Sequence, residues 1–229
     1  LEASRELWKK EISEHNKFIH VSTDEVYGSL KNEDSPFNEE NNYKPNSPYS
    51  ASKASSDMLV RAWNKTFNLP CIITNCSNNY GPWQFPEKLI PVVIKSALNH
   101  QEIPIYGDGT NIRDWLYVED HASALIQVYK TGKIGEKYNV GGNNEVSNIN
   151  LVNTICTILD EISPSKKVKH YSELITYVTD RLGHDSRYAI DAQKILKELQ
   201  FKPSVEIRDG LMKTVLWYVE NIDWLNKKN

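Results

Sequence analysis

The sequence predicts an α/β protein built on a parallel sheet with helices on both faces. Two short apolar runs, Phe18 to Val21 and residues 70–75 (Pro-Cys-Ile-Ile-Thr-Asn), read as buried strands. A helical pattern precedes the first run, and a long one lies between the two. Strands alternating with helices indicate a parallel sheet closed by crossover helices.

Taken in order, residues 2–15 carry Leu7, Trp8 and Ile12 among charges and predict a helix, followed by a strand at 17–22. Residues 30–46 are a polar Asn/Glu/Pro stretch, too long for a simple turn. Ser47-Pro48 then opens a helix to about Phe67, with Met58, Leu59, Ala62, Trp63 and Phe67 near helical spacing. After the 70–75 strand comes a helix at 86–99, with a kink expected at Pro91. Strands are expected at 103–106, 115–118 and 137–141, with a helix at 119–130. Beyond Gly142 the pattern predicts helix (148–162), strand (168–178), helix (191–199) and helix (206–221).

Composition narrows the function. With 229 residues, 39% hydrophobic, six Trp and 25% charged, the chain can build an ordinary water-facing globule. A net charge of −3 argues against general nucleic-acid or membrane-surface binding. Cys71, Cys76 and Cys156 have no metal-like spacing and cannot all pair, which fits a reduced, cytoplasmic setting. The six His residues show no zinc pattern, so no metal is expected. No apolar run approaches the roughly 20 residues of a membrane helix, and no signal peptide is visible.

The chemistry concentrates in Ser22-Thr23-Asp24-Glu25-Val26-Tyr27-Gly28 and Tyr49-Ser50-Ala51-Ser52-Lys53. Tyr49 and Lys53, four apart on a helix, lie on one face, where an ammonium can favour a phenolate able to take a proton from a hydroxyl. Two adjacent carboxyls at the end of a buried strand are awkward for stability and useful for acid–base work. For Asp24 to act as an acid near neutrality, burial or its neighbour's charge must raise its pKa. The plainer alternative is that Asp24 and Glu25 cap a turn.

These residues resemble the nucleotide-sugar 4,6-dehydratases of the extended short-chain dehydrogenase/reductases, above all those acting on dTDP-glucose. The resemblance runs over essentially the whole chain: Cys76-Ser77-Asn78-Asn79-Tyr80-Gly81-Pro82, Phe85-Pro86-Glu87-Lys88-Leu89-Ile90-Pro91, Pro104-Ile105-Tyr106-Gly107-Asp108-Gly109, Arg113 to His121, Asp180-Arg181 and Gly183-His184-Asp185. It implies a partial Rossmann-like sheet with a smaller, interleaved C-terminal α/β substrate domain. Residues 1–84, with returns near 115–142, would belong to the NAD-binding part, and about 85–113 and 143–229 to the nucleotide-sugar part. Such folds seat a cofactor pyrophosphate on a Gly-rich loop at a helix N-terminus. No such loop occurs here, the close glycine pairs being Gly107/Gly109 and Gly141/Gly142. A truncated member is therefore expected, lacking roughly the first hundred residues of the dinucleotide-binding half.

The resemblance also implies roles. Tyr49 removes the sugar O4 proton, with Lys53 holding the nicotinamide ribose and Thr23 aligning O4. Asp24 protonates the departing C6 hydroxyl, and Glu25 takes the C5 proton. Ser22, Tyr49, Lys53 and Asn79 would contact NAD. Thr23, Asn78, Lys88, Leu89, Pro104, Ile105, Tyr106, Arg113, Asn148, Arg181 and His184 would contact the nucleotide sugar. Plainer readings stand beside several of these. Asn78 and Asn79 before Tyr-Gly-Pro can form an ordinary turn. Lys88 and Leu89 can be a solvated Lys and a core Leu, and Tyr106 a core Tyr. Arg113 can pair with Asp114 or Glu119, Asn148 can cap a helix, and His184 can be structural. Leu182 stands where the pattern has Pro, and Asn75 where it usually has Arg.

The expected reaction turns dTDP-glucose into dTDP-4-keto-6-deoxyglucose with NAD ending unchanged. An epimerase or decarboxylase needs the Tyr–Lys pair but has no use for a dedicated acid and base after Thr23. A catalytically silent nucleotide-sugar-binding fragment is the alternative from another class. A homodimer is expected through the helices at 2–15 and 48–67, with Leu7, Trp8, Met58, Leu59 and Trp63 as apolar contacts.

Overall fold

The computed structural model describes residues 1–9, 15–180 and 183–227. The chain runs α1 (Glu2–Trp8), β1 (Phe18–Thr23), α2 (Pro48–Phe67), β2 (Cys71–Cys76), β3 (Asn78–Tyr80), α3 (Leu89–Leu98), β4 (Ile103–Tyr106) and β5 (Ile112–Tyr117). It continues through α4 (Val118–Thr131), β6 (Lys137–Val140), β7 (Glu145–Ser147), α5 (Asn148–Ile162), β8 (Ile175–Val178), α6 (Gln193–Leu199), α7 (Ile207–Glu220) and α8 (Ile222–Lys227).

Strands β1, β2 and β6 form an all-parallel sheet in the order β1-β2-β6. Alternation along β2 explains why nearly all of it is buried. Cys71 and Ile73 pack with Val60 of α2 and Leu69, while Ile72 packs with Ala124 and Val128 of α4 and Ile195 of α6. A strand with helices on both faces needs apolar side chains in both directions. Trp8 and Trp63 join the α2 side of this core rather than standing free, and the Trp63 indole donates to Glu2 at 3.0 Å.

A second, larger core gathers α3, β4, α5 and α7 around Ile94, Ile103, Ile155 and Val215. Two small sheets border it, β3-β5-β7 and the parallel pair β4-β8. The backbones crowd where β5 meets the turn before β7. A Cβ on Gly142 would lie 2.0 Å from the Trp115 carbonyl oxygen, so only glycine fits there.

The structure corrects several sequence expectations. Pro91 falls in the first turn of α3, where its missing N–H has no intrahelical partner to lose, so it starts the helix rather than kinking it. Instead of one strand over 168–178, a 3₁₀ turn at Tyr171–Leu174 leads into the four residues of β8. That turn is drawn back onto α5, with the Tyr171 N–H donating to Asp160 at 3.0 Å and its hydroxyl to the Ser163 carbonyl at 2.8 Å. Of the helix expected at 2–15, the described part is α1.

Candidate active site

Because β1 and β2 are parallel and in register from Phe18↔Cys71 to Thr23↔Cys76, both strands end at the same edge. Open α/β sheets bind ligands at this edge. Beyond Thr23 the chain turns through a 3₁₀ segment, Asp24–Tyr27. Thr23 is its cap, its Oγ1 accepting from the Glu25 N–H at 3.3 Å, so neither carboxyl is spent on capping. Gly28 ends the turn at φ 97°, where a Cβ would lie 2.5 Å from the Lys44 carbonyl oxygen.

Asp24 is 2% exposed. Thr23 donates to its Oδ1 at 3.2 Å, while its Oδ2 is buried with no partner in the protein. Burial, then the charges of Glu25 and Asp114, push this carboxyl up to about 8, against smaller opposing effects of the Thr23 hydroxyl and Arg113. Burial therefore favours the protonated form of Asp24 at neutral pH, beside Glu25.

Helix α2 brings Tyr49 and Lys53 to the same edge. The Ser47 hydroxyl accepts from the Ser50 N–H at 3.0 Å, and the Ser50 hydroxyl accepts in turn from the Ser47 N–H at 3.0 Å. With the start so fixed, Tyr49 stands in the first turn, 55% exposed. Lys53 stands one turn further along the same helix. The Lys53 ammonium donates to the Val21 carbonyl at 2.8 Å, and burial together with Glu25, Cys76 and Asp24 pushes the Tyr49 hydroxyl up.

Asn78 and Asn79 are not in a turn: they form β3, paired in parallel with Trp115 and Leu116 of β5. The Asn79 amide nitrogen donates to the Ser77 carbonyl at 3.0 Å and to Cys76 Sγ at 3.3 Å. This leaves Oδ1 of Asn79, like that of Asn78, buried with no partner in the protein. An acceptor so oriented fits the amide of a nicotinamide. Burial, then Asp24, pushes the Cys76 thiol up to about 12, so it packs rather than reacts.

The expected sugar and nucleotide residues divide. Lys88 is exposed at the cap position of α3, and Leu89 packs against the larger core. Pro104 and Tyr106 share one face of β4, but the Ile105 side chain is 2% exposed on the opposite face, inside the core. Only its backbone could meet a ligand. Asn148 is not a cap either; Ser147 caps α5, accepting from the Asn150 N–H at 3.4 Å.

Arg113 is buried, donating to the carbonyls of Ile112 at 2.7 Å and Asp185 at 2.8 Å, with its guanidinium 4.4 Å over the Tyr188 ring. Asp114 is not its partner, since its two oxygens accept from Gly142 at 2.8 Å and Asn144 at 2.7 Å. His184 pairs with Asp180 at 2.7 Å. Arg181 lies outside the described residues.

Sequence reasoning missed Arg187, Asp57 and His20. Arg187 holds Glu145 through two bonds of 2.6 and 3.0 Å and reaches the Asp34 carbonyl at 2.7 Å, joining β7 to the loop before α2. No local pattern signals that link. Asp57, 1% exposed, carried a readable signal, being four residues past Lys53 on the same helical face. Among the described residues no group of His, Cys, Asp and Glu could hold a metal, and no helix is long and apolar enough to cross a membrane.

Comparison with known proteins gives this geometry a family. The GDP-mannose 4,6 dehydratase family matches residues 1–214. The chain is 56% identical to a dTDP-glucose 4,6-dehydratase of Neisseria meningitidis serogroup B, over 98% of this chain and 64% of that protein. It is 57% identical to one from Shigella flexneri, over 98% of this chain and 65% of that protein. Among solved structures it superposes on dTDP-glucose 4,6-dehydratase of Bacillus anthracis in complex with NAD, with a TM-score of 0.87 and 48% identity, covering 98% of this chain and 68% of that one. The chain thus spans about two thirds of the length of the curated relatives it matches. With its Thr23-Asp24-Glu25 corner facing Tyr49 and Lys53, the chain belongs to the GDP-mannose 4,6 dehydratase family and is similar, within it, to the dTDP-glucose 4,6-dehydratases.

Proposed function

We propose that this chain supplies the acid–base and sugar-binding machinery of an NAD-dependent nucleotide-sugar 4,6-dehydratase, acting on dTDP-glucose. One observation carries the reading: Asp24 is buried, protonated at neutral pH and has an unpartnered oxygen, directly beside the second carboxyl of Glu25. Elimination of water across C5 and C6 needs such a pair, an acid for the leaving hydroxyl and a base for the carbon-bound proton.

When bound, NAD would supply reversible oxidation at C4, which acidifies the C5 proton. Asn79, Ser22 and Lys53 are the residues proposed to hold its nicotinamide end. Tyr49 takes the O4 proton, with Thr23 aligning O4. Glu25 removes the C5 proton while Asp24 protonates O6, so that water departs and a C5–C6 double bond forms. Reduction at C6 and return of the proton to C5 complete a 4-keto-6-deoxy sugar. Asn78, Lys88, Leu89, Pro104, Tyr106, Arg113, Asn148, Arg181 and His184, with the backbone of Ile105, are proposed to hold the nucleotide sugar. The larger core and its two small sheets would form the sugar-nucleotide part, and the β1-β2-β6 sheet the cofactor part.

Three free cysteines favour a reduced, cytoplasmic setting. Exposed Leu7, Met58 and Leu59 on α1 and α2 favour a homodimer. A second reading has one observation behind it: without a Gly-rich pyrophosphate loop in this sequence, the chain by itself would bind nucleotide sugar and remain catalytically silent. The test is mass spectrometry of dTDP-glucose incubated with NAD and a form of the protein carrying such a loop. Loss of one water is expected. An unchanged mass with inversion at C4 would mean an epimerase instead.

A further inference from the structure

Helix α2 carries a third polar side chain in line with Tyr49 and Lys53. Asp57 follows Lys53 by four residues, so the three stand above one another on the face toward β1. They descend from the open edge into the protein: Tyr49 is half-exposed, Lys53 holds the Val21 carbonyl and Asp57 is buried.

The Asp57 carboxylate gathers groups from the loop before α2 and from β1 and β2. It accepts from the Tyr43 hydroxyl at 2.8 Å, from the Asn75 amide nitrogen of β2 at 3.1 Å, and lies 3.0 Å from Nε2 of His20 on β1. The same Asn75 nitrogen donates to the Thr23 carbonyl at 3.1 Å. A chain of directional contacts therefore runs from α2 through β2 to the residue just before Asp24. Burial alone would raise the Asp57 carboxyl, but the polar groups of His20, Ser22, Tyr43 and Asn75 around it outweigh burial and hold it below the usual carboxylate range.

We propose that Asp57, acting through Asn75, is the positioning residue that sets the spacing between Tyr49 on α2 and the Thr23–Glu25 corner at the end of β1. Apolar packing resists separation of a helix from a sheet but tolerates small tilts and slides; hydrogen bonds to a buried carboxylate do not. Asp57 is about 12 Å along the axis from Tyr49, so a tilt of about 5° pivoting there moves Tyr49 by about 1 Å. Misplacement on that scale can cost about 100-fold in rate. The effect on rate rests on Tyr49, Asp24 and Glu25 being the acid–base set; the effect on Tyr49's position does not.

The test has two arms. In a form of the protein carrying a pyrophosphate-binding loop, Asp57→Asn should lower kcat about 10–100-fold while nucleotide-sugar Kd stays within about twofold, because the proposed nucleotide contacts lie on other elements. In the chain as it is, fluorotyrosine placed at position 49 should show a displaced fluorine resonance in Asp57→Asn. Asn75→Ala, which leaves Asp57 its His20 and Tyr43 contacts, should move both readouts in the same direction by less, and it carries the test if Asp57→Asn does not fold. A folded variant with reduced thermal stability but unchanged kcat and an unmoved resonance would overturn the proposal. Should the unsubstituted protein not dehydrate dTDP-glucose, the reading of the reaction fails, and the fluorine arm alone decides the positioning role.

Discussion

Buried beside a second carboxyl, Asp24 takes up a proton when the chain folds, its pKa rising from an ordinary 3.8 to about 8. A group whose folded pKa lies above its unfolded one contributes fully below the unfolded value, and that contribution is lost as pH rises through the folded value. Asp24 therefore weakens the fold progressively between about pH 4 and pH 8. Asp24→Asn removes the ionisation. Since one pKa unit is worth about 1.4 kcal/mol, the variant should gain a few kcal/mol over the parent near pH 8 and little near pH 4, read from denaturant unfolding across that range. A gain independent of pH would mean that ionisation of Asp24 is not what burial opposes. The same substitution should damage the chemistry. In a form carrying a pyrophosphate-binding loop, Asp24→Asn should stop after C4 oxidation and retain a 4-keto hexose with its water unlost, slowed about 10²–10⁴-fold. Glu25→Gln should stall at the same stage and also lose solvent-deuterium exchange at C5, whereas Tyr49→Phe should leave the sugar untouched. If Asp24→Asn also left the sugar untouched, its assignment to elimination would be wrong. At this scale the sequence was most legible where several unusual residue types sit close together, as in Thr23-Asp24-Glu25. It was least legible where a role depends on distant partners. Nothing near Arg187 announces Glu145, and the Lys53 ammonium goes to a backbone carbonyl whose position depends on how α2 docks on β1.

Among the elements, α2 was readable from end to end because its signals are local. Ser47-Pro48 supplies a cap and a first-turn proline, and the helix ends where Asn68 takes a left-handed φ of 53°. The cap is reciprocal with Ser50, so Ser47→Ala removes the acceptor of the Ser50 N–H and the hydroxyl–hydroxyl bond, while the Ser50 hydroxyl keeps the Ser47 backbone N–H and carbonyl. A loss of about 1 kcal/mol in unfolding free energy is expected, measured by urea titration. Ser47→Asp should restore most of it, because a carboxylate also accepts from the first-turn N–H groups and suits the positive end of the helix. An undiminished stability in Ser47→Ala would mean that packing against β1 alone fixes the helix start. Elements without local signals were the ones missed. β3 and β7 are three residues each, too short for an alternating pattern, and each depends on β5 for its pairing. The apolar and β-branched residues after Val168 suggested a longer strand, but a hydrogen bond from Tyr171 to Asp160 at the far end of α5 decides otherwise. Side-chain contacts with another element override local preference there.

For the whole molecule, the division of residues between two cores bears on which ligand it can hold. Most of the proposed nucleotide-sugar residues come from α3, β4, β5 and α5, elements that pack on the larger core. The cofactor end is different, because the sequence offers Asn79, Ser22 and Lys53 at the nicotinamide side and no Gly-rich loop for the pyrophosphate. Assembly is separable from both. Of the five apolar residues expected between subunits, Trp8 and Trp63 are committed within the chain, while Leu7 at 76% exposure, Met58 at 59% and Leu59 at 52% remain on the surface. Leu59→Glu should therefore convert a dimer to a monomer by light scattering at micromolar concentration without unfolding it; an unchanged mass would place any interface elsewhere. Ligand binding then distinguishes the two halves of the site. Calorimetry on this chain should detect dTDP and dTDP-glucose, because Tyr106 and Arg113 stand on β4 and β5, which border the larger core. NAD should bind at least about 100-fold more weakly than to a form with the loop, since losing the pyrophosphate contacts removes several charge-assisted hydrogen bonds of roughly 1.5–3 kcal/mol each. Tight, stoichiometric NAD binding to this chain would mean that a pyrophosphate site exists elsewhere in it. Failure to bind dTDP would instead remove the larger core from the proposed sugar-nucleotide site, while leaving the acid–base corner on β1 untouched.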